Sequence, residues 1–268
     1  MAQYIIINAY KGGVLKTTIT SNLGSILALN NKKILLVGLD AQDDLRISFN
    51  IPENIAEKNL YDLLVDDVDI SECIYKYNVN IDLILSDERM ENYEFDVLTN
   101  IYKKEDYMTA LDSKLSKVVD DYDYIIVDTA PSFSILSLQA YYLNSRNGKT
   151  TDIIIPFQPE VYALKNLVRQ ITKINRFKAE FNPDLHIKSV IATKTMKNNT
   201  HRMILNSAKQ ALANQVDFSS IEIRNTIKFT EYLLTNTKPL ALEKDEDLNK
   251  EYKQFKQLYF DFAEELGY

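Results

Sequence analysis

The chemistry this chain can do is concentrated in Lys11-Gly12-Gly13-Val14-Leu15-Lys16-Thr17-Thr18. An apolar run, Ile5-Ile6-Ile7, reads as a strand before this segment, and Ile19 to Leu29 reads as a helix after it. A glycine-containing loop in that place turns backbone N–H groups and a helix N-terminus toward a polyphosphate. Lys16 then reaches the β- and γ-phosphates, and the Thr17 hydroxyl holds Mg²⁺. Two acids follow apolar runs of their own. Asp40 comes after Ile34–Leu39, and Asp128 ends Tyr124-Ile125-Ile126-Val127. Ligands of open parallel sheets bind beyond the carboxyl ends of strands, so Asp40 belongs beside the loop. A carboxylate there can orient an attacking water or a hydrated Mg²⁺.

These residues need a sheet to hold them. Strands are expected at Tyr4–Ala9, Lys33–Leu39, Ile81–Leu85, Tyr124–Val127, Asp152–Pro156, Ile187–Ala192 and Ser220–Ile223. Helices are expected at Lys16–Leu29, Asn59–Val65, Tyr93–Val119, Ile135–Asn144, Ala163–Phe181, His201–Ala213 and Asp247–Glu265. The alternation predicts an α/β fold: one P-loop NTPase domain over 1–268, a mainly parallel twisted sheet with helices on both faces. The 268 residues are enough for such a core, and few Gly and Pro (six of each) argue against long linkers. One cysteine, Cys73, allows no internal disulfide, which fits a reducing cytosol. No basic-then-apolar leader precedes Tyr4, and no apolar run is long enough to span a membrane.

The spacing Lys11-Gly12-Gly13-Val14-Leu15-Lys16-Thr17-Thr18 resembles the deviant Walker A box of the ParA/MinD family, Lys-Gly-Gly-x-Gly-Lys-Thr-Thr. In that family the extra lysine, here Lys11, crosses a dimer interface to the partner's nucleotide. Leu15 stands where the family has glycine, close to the phosphates, where the backbone can favour a conformation costly for other residues. Gly38-Leu39-Asp40-Ala41-Gln42 resembles Asp-x-Asp-Pro-Gln, with Asp40 matching the catalytic aspartate and Asp43 or Asp44 near the metal-facing switch. Tyr124–Asp128 resembles a Walker B strand whose acid binds Mg²⁺ through water, followed by Thr129-Ala130-Pro131-Ser132. A single cysteine excludes the related nitrogenase iron protein and its cluster. Ile155-Pro156-Phe157-Gln158-Pro159-Glu160-Val161-Tyr162-Ala163-Leu164 and Asn59-Leu60-Tyr61-Asp62-Leu63-Leu64 resemble the partition branch. Arg224-Asn225, Thr230-Glu231 and Lys238-Pro239 resemble the block that embraces the adenine.

The resemblance implies a DNA partition ATPase. It implies catalytic Lys11, Lys16 and Asp40, and nucleotide contacts from Lys11 to Thr18 with Arg224 and Asn225. Thr17, Asp40 and Asp128 serve the metal, and ATP and Mg²⁺ are the cofactors. It further implies a homodimer with sandwiched nucleotide, a centromere-binding partner (ParB-like or a small DNA-binding adaptor), and a cytoplasmic, nucleoid-associated protein. Net charge of −7 makes the chain a poor general polyanion binder, so DNA must meet a local basic patch. Lys197, Arg202 and Lys228 are the candidates, within a late cluster that includes Lys188, Lys194, His201 and Lys209. The acidic last helix, with Asp261, Glu264 and Glu265, disfavours an anionic membrane. The alternative is a non-catalytic, DNA-associated regulator whose loop is impaired by Leu15.

Overall fold

The computed structural model describes residues 1–53, 55, 57–99, 107–144, 149–235 and 238–268, with backbone alone at 229, 230 and 233. The chain runs β1 (Gln3–Ile7), α1 (Lys16–Leu29), β2 (Ile34–Gly38), α2 (Asp44–Ser48), α3 (Leu60–Leu64), α4 (Ile70–Cys73), β3 (Tyr75–Lys76) and β4 (Ile81–Ile84). It continues α5 (Tyr93–Thr99), α6 (Ala110–Leu115), β5 (Tyr124–Asp128), α7 (Ile135–Tyr142), β6 (Thr151–Phe157) and α8 (Ala163–Glu180). It ends β7 (Leu185–Thr195), α9 (Asn199–Leu212), β8 (Phe218–Arg224), α10 (Lys228–Thr235) and α11 (Lys250–Leu266). The eight strands form one sheet in the order β3-β4-β2-β5-β1-β6-β7-β8, parallel except for β3.

Strand residues alternate between two cores, as a period of two requires. Tyr4, Ile6, Leu35, Val37, Ile125 and Val127 face the layer that includes α3 to α9. Ile5, Ile7, Ile34, Leu36 and Ile126 face α1, α2 and α11. Both faces are covered, which is why the central strands read as unbroken apolar runs. β1 sits between β5 and β6, and the chain leaves it toward β2 on one side and reaches β6, β7 and β8 on the other. The carboxyl ends of β1 and β5 therefore flank the crevice where α/β sheets place ligands.

Several elements depart from expectation, and the short helices α2, α4 and α10 were not expected. The continuous helix expected over Tyr93–Val119 is not found: α5 covers Tyr93–Thr99, a 3₁₀ turn covers Tyr107–Thr109 and α6 covers Ala110–Leu115. Its stretch over 100–106 lies outside the described residues. The short β3 was not expected; the Asn78 side chain accepts from the backbone N–H of Asn80 and Ile81 and folds the chain back as an antiparallel edge. The last helix starts at Lys250 rather than Asp247, because the Asn249 side chain caps it by accepting from Tyr252 N–H.

Candidate nucleotide site

The loop from Asn8 to Leu15 joins β1 to α1 at the carboxyl edge of the sheet. Gly13 has φ 68° and Leu15 has φ 70°, both in the left-handed region. Glycine takes that conformation freely, while an L-residue is disfavoured by about 1–2 kcal/mol. Leu15 nevertheless holds it, and its half-buried side chain packs against the core on the α1 side of the sheet. No side chain caps the start of α1, so its first amide N–H groups remain available to an anion.

Lys16 opens α1 and is only 7% exposed; its ammonium donates to the Lys11 carbonyl at 3.5 Å. Burial lowers its pKa, while Asp128, Asp40 and Asp44 pull it back up. Thr17 Oγ1 donates to Asp128 Oδ2 at 2.6 Å, and Thr20 Oγ1 donates to Asp128 Oδ1 at 3.2 Å. Burial raises the Asp128 carboxyl to about 7, against Thr17, Lys16 and Thr20, which favour its charge. Asp40 lies half-buried past β2 and accepts from Gln42 N–H at 3.2 Å. Asp43, at φ 50°, accepts from Arg46 Nε at 2.7 Å and from Ser86 N–H at 3.3 Å, and burial raises it to about 6. Leu39 N–H donates to the Asp128 carbonyl at 2.8 Å, which locks the ends of β2 and β5 together.

A buried polar network under the loop had no local signal in the sequence. Asn8 Nδ2 donates to Thr129 Oγ1 at 2.9 Å, and Asn8 Oδ1 accepts from Tyr141 Oη at 2.8 Å and from Gln170 Nε2 at 2.7 Å. Gln170 also donates to the Asn8 carbonyl, and Thr129 to the Ile7 carbonyl. The network ties the phosphate loop, the segment after Asp128 and helix α8 into one unit. Such an interior hydrogen-bond network favours a single arrangement of the parts it joins.

Lys11 does not share the Lys16 environment. Its ammonium donates to Gln158 Oε1 at 2.8 Å and pairs with Glu160 Oε2 at 2.6 Å, both past the end of β6. A third lysine also reaches the loop. Lys194, at φ 49° in β7, brings its ammonium to 3.8 Å from where a Cβ on Gly13 would stand. Sequence reading had grouped Lys194 with a surface patch.

Comparison with known proteins settles the kinship of this loop. Residues 2–187 match the AAA domain family. The sporulation initiation inhibitor protein Soj of Bacillus subtilis is 33% identical over 194 residues, covering 72% of this chain and 73% of Soj. The chain belongs to the ParA/Soj family of partition ATPases. A plasmid partition protein from Borrelia burgdorferi, solved with AMPPNP, is 26% identical with a TM-score of 0.76, covering 99% of this chain and 100% of that one. Cyanothece apo McdA shares the fold at a TM-score of 0.78 and 18% identity, over 99% of both chains.

The remaining family positions lie at the other end of this ParA-type sheet. Arg224 ends β8 and Asn225 follows it; both are exposed, and Asn225 N–H donates to the Thr195 carbonyl at 2.9 Å. Lys197 and Arg202 are exposed in the β7–α9 loop and the first turn of α9. Lys228 opens α10 and pairs with Glu231 Oε2 at 2.7 Å. His201 leaves the proposed basic cluster: it is 7% exposed, and its Nδ1 accepts from Met196 N–H at 3.3 Å. No described helix is long and apolar enough to cross a membrane.

Proposed function

We propose that this chain binds ATP–Mg²⁺, pairs face to face with a second copy around the nucleotides, and coats DNA without sequence preference. A centromere-binding partner, ParB-like or a small DNA-binding adaptor, stimulates hydrolysis and releases it. The observation that carries this reading is the convergence of Lys16, Thr17 and Asp128, with the Thr17 hydroxyl 2.6 Å from the carboxylate. Mg²⁺ needs few protein ligands when phosphates supply the rest, and one hydroxyl with one carboxylate suits it. The described residues fit the pair: open α1 amides and two glycines for the phosphates, a buried lysine for their charge, and Thr17 with Asp128 for the metal.

In this reading Gly12 to Thr18 wrap the phosphates, Asp40 positions the attacking water, and Asp128 holds a metal-bound water. Arg224 and Asn225 flank the adenine. Lys11 leaves Glu160 and Gln158 to reach the partner's nucleotide. The protein works on the nucleoid within the cytoplasm. Phosphoryl transfer asks for positioning and charge more than covalent help, and buried Lys16 provides both. The test is calorimetric ATP–Mg²⁺ binding and phosphate release, with and without duplex DNA, for wild type and Lys16→Ala. Equal ATP affinity in the two proteins overturns the nucleotide reading, and binding without turnover favours the non-catalytic regulator.

A further inference from the structure

We propose that the outer face of α8, with the adjoining first turn of α9, is the surface that takes the DNA backbone; this rests on the DNA-binding reading above and relocates its centre. The two helices lie side by side. α8 carries five cations and α9 two, against one acid, Glu180, on a chain whose net charge is −7. That concentration of one sign on adjacent elements is the electrostatic footprint of a polyanion site.

The arrangement on α8 follows from its period. Leu167, Ile171, Ile174 and Phe177 enter the core. Lys165, Arg169 and Arg176 fall on the opposite side, all exposed, at spacings that stack on one helical face. Arg176 shares its charge with Glu180 at 2.8 Å. Lys165 and Arg169 show no ion pair among the described residues. Of the late-chain candidates, Arg202 lies in the first turn of α9 and belongs to this same surface, while Lys228 is neutralised locally by Glu231.

Two further points select a nucleic-acid backbone. The continuous apolar stripe of α8 is used by the core, so the helix presents no second amphipathic face of the kind that lies in a bilayer surface. Lys173, on the flank of the stripe, sits 3.7 Å from the centroid of Phe133 and 5.4 Å from that of Tyr10. Phe133 follows Asp128 by a short loop, and Tyr10 precedes Lys11, so Lys173, at the edge of the basic face, touches both nucleotide loops. An anion that draws Lys173 outward acts on those loops directly.

The test compares Lys165→Glu/Arg169→Glu with Lys197→Glu/Lys228→Glu, using fluorescence anisotropy on two unrelated duplexes with ATP–Mg²⁺ across a salt series. Lys173 is left intact because it packs on Phe133. The α8 variant is expected to bind both duplexes at least about tenfold more weakly, with a log–log salt slope shallower by about 1.8. The loop variant is expected to lose less than about threefold. Unchanged ATP affinity in each variant shows that it remains folded, and Lys165→Gln/Arg169→Gln should give an intermediate loss. A loop variant that loses DNA while the α8 variant keeps it overturns this inference and leaves the DNA reading standing. A wild-type protein that binds neither duplex at any salt overturns the DNA reading itself. Binding to phosphatidylglycerol vesicles but not to duplex, lost in the α8 variant, overturns the choice of partner.

Discussion

Beside the carboxyl ends of β1 and β5 the Lys16 and Asp128 charges are buried and held by neutral neighbours, whereas on the α8–α9 face Lys165, Arg169 and Arg202 are exposed. Lys16 and Asp128 are 7% and 2% exposed, so their interactions act in a medium of low effective dielectric. Lys165 and Arg169 stand in water, where salt screens each one. The difference assigns two kinds of work. A buried set can position one small ligand exactingly, and each member matters greatly. An exposed set can attract a long polyanion, and its members add up.

The largest effect should come from removing the buried ammonium. Lys16→Ala is expected to weaken ATP–Mg²⁺ binding by about a hundredfold or more, since it deletes charge-assisted hydrogen bonds worth about 1.5–3 kcal/mol each. Calorimetry checks this. A loss below about threefold would erase the contrast between the two regions.

The next effect is a pH step of about tenfold. Metal binding requires ionised Asp128, which titrates near 7. Mg²⁺-dependent ATP affinity should rise by about tenfold between pH 6 and pH 8 and then level off. Stability of the nucleotide-free protein runs the other way. The folded carboxyl keeps its proton up to about 7 while the unfolded one loses it near 3.9, so stability falls as pH rises between those values and is flat above. Asp128→Asn should remove the affinity step in calorimetry, and in thermal melts it should leave only the shallower slope that Asp43, raised to about 6, contributes with the same sign. An affinity independent of pH in the wild type would show that Asp128 does not serve the metal.

A smaller, directional effect belongs to Lys11, which lies between the two regimes. It is exposed enough to be screened, yet it is held by Glu160 at 2.6 Å. Lys11→Ala should leave ATP binding by the monomer within about threefold, because a partly exposed pair is worth about 1 kcal/mol or less. It should reduce ATP-dependent dimerisation in light scattering. Glu160→Gln removes the ion pair, leaves Lys11 only neutral partners such as Gln158, and should shift dimerisation to lower protein concentration. A Glu160→Gln protein that dimerises less readily than wild type would mean that the pair supports the interface rather than competing with it.

The residues of the candidate site stood out in the sequence because they sit at strand ends and at fixed spacing within one loop. Lys11 to Thr18, Asp40 and Asp128 all fell where apolar runs stop. Its supports were not legible. Asn8, Tyr141 and Gln170 meet across separations of 133 and 162 residues, and nothing local distinguishes them from ordinary polar residues. Lys194 reads as one more surface lysine until β7 carries it to Gly13. The split between α5 and α6 escaped notice because helical periodicity continues across it, and the two-residue β3 is too short to show a pattern. The α8 helix was expected, but its charged stripe gains meaning only beside acid-free α9.

The smallest expected effect concerns Leu15, where this chain departs from its family's glycine. Three terms nearly cancel in Leu15→Gly. Relief of the left-handed backbone, φ 70°, contributes about 1–2 kcal/mol. Losing a half-buried leucine side chain costs about 1 kcal/mol, roughly half of full burial. The greater freedom of an unfolded glycine costs a further ~0.4–1 kcal/mol. The melting temperature should therefore move by less than about 3 °C in a domain of this size. Because the leucine packs on the α1-side core, ATP affinity should stay within about threefold, a change of under 1 kcal/mol. Calorimetry and a thermal melt on the same preparation separate the two readouts. A Leu15→Gly protein that melts as wild type but binds ATP tenfold more tightly would show that the side chain occupies phosphate space. The left-handed backbone would then be adapted to exclude nucleotide rather than to accommodate it, and the buried site would be the regulated one.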